Sequence, residues 1–398
     1  MLAILAVVST LVLDNFGEQE LRERQRQTIE RGNAVKNLIT GMNQPDGISR
    51  FLSDMGRYPR VYKDGEKSGR LLAQLYDSSI WDAGMLAHVD TITINNTLLD
   101  LPFTSPAEDV KVSMNVGWNG PYLNNQGENF YDGWGNGWRI LGYDKDESEI
   151  KKRYPVISET YLKTTTVING IASFGANRQE DENTSEDYLD KDEIFGFAEA
   201  LNTATLHITL KGRDNNGIWL PIKTVETDSI PEYSSGVLYT EDAVVESGGQ
   251  YYFSLKSNNS DSVTESSSWS QKNARLVSRS SSDTGIRVML FAPHKTASNQ
   301  MSLGYFDFKP AALKEDGDVF LKPAPADNND QVKVIENWED DHNLTIKGLI
   351  PGRRQIYAYG YFYEAAAGIP LFRLASAVEW VDLRKGSNHI TLYLELKN

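Results

Sequence analysis

The sequence contains no cysteine among its 398 residues. This absence excludes disulfide bonds, thiolate metal sites and cysteine nucleophiles together. Histidine is scarce as well, since the five histidines are scattered and form no H-E-x-x-H metal motif. The chain also lacks the G-x-S-x-G, P-loop and dinucleotide-binding motifs. We therefore predict that the protein is not an enzyme, because the usual signatures of a catalytic site are missing.

Basic residues are fewer than acidic residues. The chain has 40 Lys and Arg residues against 55 Asp and Glu residues, which gives a formal net charge of -15 at pH 7. Affinity for nucleic acid comes mainly from clustered Lys and Arg side chains, so the excess of acid argues against a nucleic-acid partner. The length suits two or three domains of ordinary size.

Long apolar runs are missing except at the N-terminus. Residues 1–13, “MLAILAVVSTLVL”, are almost entirely apolar. As a helix they would span roughly 20 Å, which is less than the roughly 30 Å hydrocarbon core of a bilayer. A secretory signal would add a basic region before the run and a small-residue cleavage site after it, and neither is present. Three interpretations stay open: a truncated membrane anchor, a buried core helix, and a signal peptide with an atypical start.

A long helix is predicted from Glu18 to about Gln44, where Pro45 ends it. Two Glu–Arg pairs with the acid four residues N-terminal to the base, Glu18/Arg22 and Glu20/Arg24, support it. Apolar positions recur at helical spacing and predict a single buried stripe. These positions are Leu21, Ile29, Gly32, Val35, Ile39 and Met42.

The composition changes to β after about residue 195. Runs of alternating, β-branched and aromatic residues are separated there by Gly, Pro, Asn and Asp. Their spacing predicts an antiparallel β-sandwich, or two small ones with a boundary near 322–331. The chain is thus divided into residues 1–195 and 196–398. In one run, “IYAYGYFY” (356–363), aromatic residues alternate, so we expect one set to face the core and the other to face solvent.

Several short motifs in the first 195 residues follow one another in a characteristic order. Taken together they resemble the major pseudopilin (G-type subunit) of type II secretion systems, within the type IV pilin-like superfamily. No motif is specific alone, and the resemblance depends on their order across about half of the chain. The motifs are the apolar segment 1–13, “GRYP” (56–59) with “SGRLLAQLY” (68–76), “WNGPYL” (118–123), “DGWGNGW” (132–138) and the acidic segment 173–194.

The resemblance implies an α+β fold in which a long N-terminal helix packs on a small antiparallel β region, followed here by the β-sandwich-like region. It implies a structural subunit that is anchored in the inner membrane by one transmembrane helix, with its globular part in the periplasm or on the fibre surface. Subunits of that family self-associate into a helical fibre, contact secretion or pilus assembly proteins, and are cleaved and N-methylated at a Phe-Thr-Leu-x-Glu site. The present sequence begins at Met1, after the position of that Glu.

The acidic segment 176–193 is the best candidate for a metal site. Carboxylate and amide oxygens suit a hard cation such as Ca²⁺, which takes six to eight oxygen ligands. The segment is not an EF-hand, because the Gly and Glu that an EF-hand loop requires are missing. The resemblance implies that the segment holds calcium, and a solvated acidic loop is the competing interpretation. The candidate ligands are Asn177, Asp187, Asp190 and Asp192.

The segment “YDGWGNGW” (131–138) combines two tryptophans, three glycines, Asp132 and Asn136. We interpret it as a turn that positions the β region against the long helix, with both polar side chains bonding backbone groups. Its tryptophans are expected to pack in a core rather than to stack on sugars. The alternative function, from a different class, is a membrane-anchored cell-surface binding protein whose C-terminal β-sandwich recognises a polysaccharide or a protein.

Overall fold

A computed structural model describes most of the chain. The helices, strands and contacts below all refer to the described part. It comprises residues 2–40, 50–57, 59, 73–95, 98, 110–123, 131–143, 152–154, 167–176, 192–197, 203–214, 216–279, 285–296, 298, 300–310, 317–323, 332–363 and 370–397.

Helix α1 is the only described helix of seven or more residues. Both predicted ion pairs form, with Arg22 3.3 Å from Glu18 and Arg24 2.7 Å from Glu20. The buried stripe contains Gly32, Val35 and Ile39 as predicted, but Ile29 is 39% exposed. Its place in the stripe is taken by the buried polar residues Gln25 and Thr28. The helices are α1 (Leu2–Thr40), α2 (Arg50–Met55) and α3 (Ala73–Tyr76), with 3₁₀ turns at Ser78–Ile80, Ala83–Met85 and Thr227–Ser229.

Six short strands accompany α1. Two of them form an antiparallel hairpin, and the other four form an antiparallel sheet in the order β4-β3-β5-β6. Helix α1 packs on β5, β6 and α2, and the hairpin packs on a strand of the main sheet. The strands are β1 (His88–Ile94), β2 (Val110–Val116), β3 (Arg139–Tyr143), β4 (Lys152–Tyr154), β5 (Val167–Ser173) and β6 (Glu193–Gly196).

The rest of the chain forms one large sheet and two small ones. The strands of the large sheet run in the order β15-β14-β19-β20-β22-β7-β18-β17-β16, with β21 added to β19 and β8 added to β7. The strands are β7 (Ala204–Arg213), β8 (Trp219–Pro221), β9 (Lys223–Glu226), β10 (Val244–Ser247), β11 (Gln250–Ser254), β12 (Trp269–Ser270), β13 (Leu276–Arg279), β14 (Ile286–Lys295), β15 (Met301–Phe308), β16 (Gly317–Phe320), β17 (Lys333–Trp338), β18 (Asn343–Leu349), β19 (Gly352–Tyr363), β20 (Pro370–Ala375), β21 (Glu379–Leu383) and β22 (Gly386–Lys397).

The large sheet curls into a nearly closed barrel. Its two ends meet at a bridge between Tyr305 on β15 and Lys322, just after β16. In the middle of the sheet β22 pairs with β7 in parallel, while the neighbouring pairs are antiparallel. The barrel encloses its own hydrophobic core, which is built from the inward residues of nearly every strand.

Strands β14, β15 and β19 are buried on both faces, so they form a wall shared by two cores. On β14, Val288 and Leu290 point into the barrel, whereas Met289 and Phe291 join a second core with α1, α2 and the β1–β2 hairpin. The expectation of a solvent-facing aromatic set in 356–363 is therefore wrong, since Tyr357 is only 3% exposed. A second layer covers the outside of these strands, and a single sequence does not show such a layer.

Helix α2 is fixed to the barrel by hydrogen bonds at the edge of this wall. Arg354 on β19 is buried and donates through Nη1 to the carbonyl of Ser53 at 3.0 Å and through Nη2 to that of Leu52 at 3.3 Å. The Asp54 carboxylate accepts a 2.7 Å hydrogen bond from the Tyr122 hydroxyl. Burial lowers the pKa of Arg354 to about 10 and raises the pKa of Asp54.

The predicted fold class is wrong. Within the described part of the chain, strands make up 51% and helices 16%, and the main element is a barrel-like sheet rather than a long helix on a small β region followed by a sandwich. The alternating strands in 196–398 predict two stacked sheets, but eleven of them pair into one sheet that returns to its own edge. Strand alternation does not distinguish these two outcomes, because both bury one face of every strand.

The predicted transmembrane helix is also wrong. Among the described helices, none is long and apolar enough to cross a membrane. This finding contradicts the predicted inner-membrane, single-pass location. Together with the mainly β architecture, it also contradicts the assignment as a pseudopilin. The physical reason is the length of the apolar run, because its 13 residues are followed within α1 by charged ones.

Candidate functional site

Most of the predicted calcium site lies outside the described residues. This applies to Asn177, Asp187 and Asp190. Asp192 is described, and it lies directly before β6 with 8% of its surface exposed. Across the described residues no group of three or more His, Cys, Asp or Glu side chains is arranged to hold a metal ion. The calcium site therefore stays a prediction.

The segment 131–138 forms a tight turn organised by a buried carboxylate. Asp132 is 1% exposed, and its Oδ1 accepts the backbone N–H groups of Trp134 at 3.0 Å and Asn136 at 2.7 Å. Its Oδ2 accepts the Ser173 hydroxyl at 2.7 Å, which ties the turn to β5. Gly135 adopts a φ of 79°, a conformation that favours glycine. The predicted role of Asp132 is confirmed, whereas the Asn136 side chain reaches the Gly175 carbonyl of the neighbouring loop.

Trp138 in this turn and Trp118 nearby are packing residues, as predicted, whereas Trp134 is only partly buried. Trp138 is 2% exposed and meets the ring of Phe195 edge-on, with centroids 5.6 Å apart. Trp118 is 5% exposed, and its indole N–H donates to the Gln74 carbonyl at 2.7 Å. Large buried rings with a satisfied polar edge are typical of a core. They offer no exposed face for a sugar.

The turn also fastens the middle of α1. The Gly133 N–H donates to the Thr28 hydroxyl at 2.9 Å, and Arg31 Nη1 donates to the Asp132 carbonyl at 3.0 Å. A Cβ at Gly133 would collide with the carbonyl oxygen of Arg24, so only glycine lets the turn lie this close to the helix. Together these contacts hold α1 against the β layer from about Gln25 onward.

The N-terminal part of α1 precedes all of these contacts. Gln25 is the first buried residue among the α1 positions whose side chains are described, and residues 17–20 and 22–24 are exposed. The 23 residues from Leu2 to Arg24 span about 35 Å of helix. The apolar sequence 1–13 belongs to this part. The N-terminal part of α1 is therefore our first candidate site, and it would act by packing against other helices.

A second candidate site lies at the seam of the barrel. Tyr305 and Lys322 exchange backbone hydrogen bonds of 2.9 and 2.8 Å, and beyond this bridge β15 separates from β16. The gap is a solvent-open cleft of about 450 Å³. Its charged lining residues are Asp307, Lys309, Asp318, Lys322 and Glu336.

Asp307 is the centre of charge in the seam cleft. Its side chain is 5% exposed, and Oδ2 lies 3.5 Å from Arg287 Nη1, 3.8 Å from Lys322 Nζ and 4.0 Å from Lys309 Nζ. These separations are longer than those of charge-assisted hydrogen bonds, which are about 2.7–2.9 Å. The three cations thus hold the carboxylate through Coulomb attraction rather than through short hydrogen bonds.

Glu336 supplies a carboxyl group that changes protonation near neutral pH. Burial raises the pKa of Glu336 to about 7, and the negative charge of Asp307 acts in the same direction. A hydrogen bond from the Trp338 indole N–H, 3.2 Å from Glu336 Oε2, opposes the rise. The cleft can therefore bind polar groups and exchange a proton, but the part of its lining that the structure describes contains no Ser, Thr or His that would act as a nucleophile.

Sequence reasoning missed the seam cleft. A signal for it does exist, because Arg287 and Asp307 are charged residues inside otherwise apolar strands, “GIRVMLFAP” and “LGYFDFKP”. A charge in a buried strand needs a compensating partner, which makes it a candidate for a specific site. Strands β14 and β15 are consecutive and pair as a hairpin, so Arg287 and Asp307 meet through a local pairing, whereas the approach of Asp307 to Glu336 depends on long-range closure of the sheet.

Comparisons with protein-family models, with curated proteins and with solved structures found no match.

Proposed function

We propose that the protein is a structural subunit that assembles with further copies of itself into a fibre through the N-terminal part of α1. The single observation that carries this proposal is that the apolar sequence ending at Leu13 continues as one helix into residues 17–20 and 22–24, whose side chains are exposed. A helix segment that is apolar on all sides requires a packing partner, because its side chains otherwise stay in water.

The charge pattern of α1 supports the same function. Glu18, Glu20, Arg22 and Arg24 form exposed i,i+4 pairs, and Arg26 bridges Glu23 and Glu30 at the beginning of the packed part. Pairs of this kind add a few tenths of a kcal/mol each to a solvated helix. They stabilise the helix between the apolar segment and the part of α1 that packs on the β layer, so that the apolar segment stays at a fixed distance from that layer.

The rigid attachment of α1 supports a mechanical role. The turn at Asp132 bonds to Thr28 and Arg31, and Gln25 donates to Glu193 on β6 at 2.9 Å. A subunit whose packing helix is fixed to its body transmits the helical symmetry of the contact to the rest of the particle. Repetition of a heterologous contact that does not close produces a filament.

The test compares two aspartate substitutions on one helix. Val8→Asp places a charge in the apolar segment, whereas Ile29→Asp places the same charge at a position of α1 that is 39% exposed. Light scattering with size-exclusion chromatography and negative-stain microscopy should show assemblies for the wild type and for Ile29→Asp. Val8→Asp should raise the concentration needed for assembly at least tenfold. A wild-type chain that stays monomeric at high concentration, or equal loss in both variants, would refute the proposal.

A further inference from the structure

Strands β18, β7 and β22 are neighbours in the barrel wall and present one face to the outside. Their inward residues belong to the barrel core, and successive side chains of a strand point to opposite faces. Cross-strand pairing therefore places the outward residues in rows, which we call the outer strip. The rows are Thr345–His207–His389, then Asn343–Thr209–Thr391, then Lys211–Tyr393, and finally Arg213 with Trp219 from β8 and Glu395 from β22.

One end of the outer strip is aromatic. Tyr393 is 46% exposed, and its ring centroid lies 4.8 Å from that of Trp219. The Arg213 guanidinium lies over the Trp219 ring at 4.7 Å from the centroid, which holds the indole in place. An exposed ring that is fixed by its neighbours gives a large contact area at low entropic cost, and its apolar face suits the C–H face of a sugar ring.

The remainder of the strip is polar. Thr209 and Asn343 bond to each other at 3.1 Å, and Thr391 lies beside them. The His207 and His389 rings stack with centroids 4.6 Å apart, and His207 Nδ1 is 2.9 Å from the Thr345 hydroxyl. From His389 to Glu395 the strip is about 20 Å long at 3.3 Å per residue. Hydroxyl, amide and imidazole groups along this length match a chain of sugar hydroxyls better than an apolar partner.

The Tyr393 end of the outer strip is locally positive, whereas the other end is acidic, since Thr345 and Asn343 donate there to the carboxylates of Glu339 and Asp340. Arg213 pairs with Glu395 at 3.9 Å, but Lys211 and Lys397 form no ion pair within the described part of the chain. Lys397 lies on the same face because it follows Tyr393 by an even number of residues. On a protein with a formal charge of -15, Lys211 and Lys397 therefore form a local cationic site near Tyr393. This favours an anionic ligand.

We propose that the outer strip binds a carboxylated polysaccharide. A sugar ring packs on Tyr393, carboxylates of the polymer pair with Lys211 and Lys397, and hydroxyls bond to Thr209 and Thr391. This binding activity goes beyond assembly through α1, and it involves a different face of the molecule.

The experiment is affinity electrophoresis of the full chain in native gels that contain polygalacturonate, with dextran gels as the neutral control. Tyr393→Ala removes the exposed ring, and Lys211→Gln with Lys397→Gln removes the two charges. Trp380→Ala is the matched control, because Trp380 is 45% exposed and carries Arg353 over its ring at 4.6 Å, but it lies on β21 outside the strip. Circular dichroism melting checks that each variant is folded.

We expect the wild type and Trp380→Ala to be retarded by polygalacturonate and not by dextran. Tyr393→Ala should weaken binding about tenfold, and the double lysine variant should weaken it at least threefold with a reduced dependence on salt. Equal retardation by dextran would overturn the charge argument, and no retardation by either polymer would overturn the site. If Tyr393→Ala instead weakens self-association while polymer binding is unchanged, the strip is a contact between copies and the proposal is wrong. Loss of assembly in Val8→Asp with normal polymer binding would support both proposals and show that the two activities are independent.

Discussion

Replacing Glu336 by Gln should stabilise the protein at neutral and alkaline pH but not in acid. Burial raises the pKa of Glu336 from 4.5 to about 7, so the folded protein holds this proton over a range in which the unfolded chain has released it. Stability then falls as pH rises from about 4.5 to about 7, because the folded state binds more protons than the unfolded state. Gln is isosteric with Glu, stays neutral, and can still accept the hydrogen bond from the Trp338 indole.

The magnitude follows from the two pKa values. One pKa unit is worth about 1.36 kcal/mol, so the difference between 4.5 and about 7 sets an upper limit of about 3 kcal/mol. Glu336 lines the open seam cleft and keeps part of its hydration, which lowers the effective penalty. We expect Glu336→Gln to raise the free energy of unfolding by about 1–2 kcal/mol at pH 8 and by less than about 0.3 kcal/mol at pH 4.5.

The assay is urea unfolding of both proteins at intervals between pH 4.5 and pH 8. The difference in unfolding free energy between variant and wild type should grow with pH and level off near pH 8. Removing any carboxylate from an acidic protein relieves some repulsion, so Glu379→Gln, at an exposed position of β21, is the matched control. A stabilisation that is the same at every pH, or equal in both variants, would refute the reasoning.

Three further predictions concern the contact of Arg354 with α2, the close approach of Gly133 to α1, and the predicted calcium site. Arg354→Leu should lower the unfolding free energy by about 2–4 kcal/mol in urea titrations, because the carbonyls at the end of α2 lose their donor; an effect below about 0.5 kcal/mol would contradict it. Gly133→Ala should cost about 1–3 kcal/mol through collision with the backbone of α1 and speed proteolysis of α1, while Gly217→Ala, at an exposed turn, should leave that proteolysis unchanged. Calcium should raise the melting temperature and a chelator should reverse the rise, with both effects lost in Asp187→Asn/Asp190→Asn; indifference of the wild type to calcium would remove the predicted site.

Local features of α1 and its turn could be predicted from the sequence because short-range physics decides them. The Glu–Arg pairs depend on a four-residue spacing, and the Asp132 turn depends on an acid side chain among glycines. The exchange of Ile29 for Gln25 and Thr28 in the buried stripe was not predictable in this way. Thr28 is buried because a turn about one hundred residues later donates to its hydroxyl, and Gln25 is buried because β6 supplies Glu193 as its partner.

The barrel could not be predicted, because its definition rests on pairings between distant segments. Strand β7 lies between β22 and β18, which are more than one hundred residues further along the chain. Long-range closure of the sheet also creates the seam cleft, because it brings Asp307 of the β14–β15 hairpin close to Glu336. Strand alternation shows which face is apolar, but it does not identify the neighbouring strand.

The wall that β14 shares between two cores has a consequence for mutagenesis. Adjacent residues of this strand report on different halves of the protein, since Val288 and Leu290 support the barrel whereas Met289 and Phe291 support the layer under α1. A scan along β14 should therefore produce two phenotypes that alternate with every residue. Substitutions that face the barrel core would disturb the seam cleft and the outer strip. Substitutions that face the other core would loosen the layer on which α1 packs.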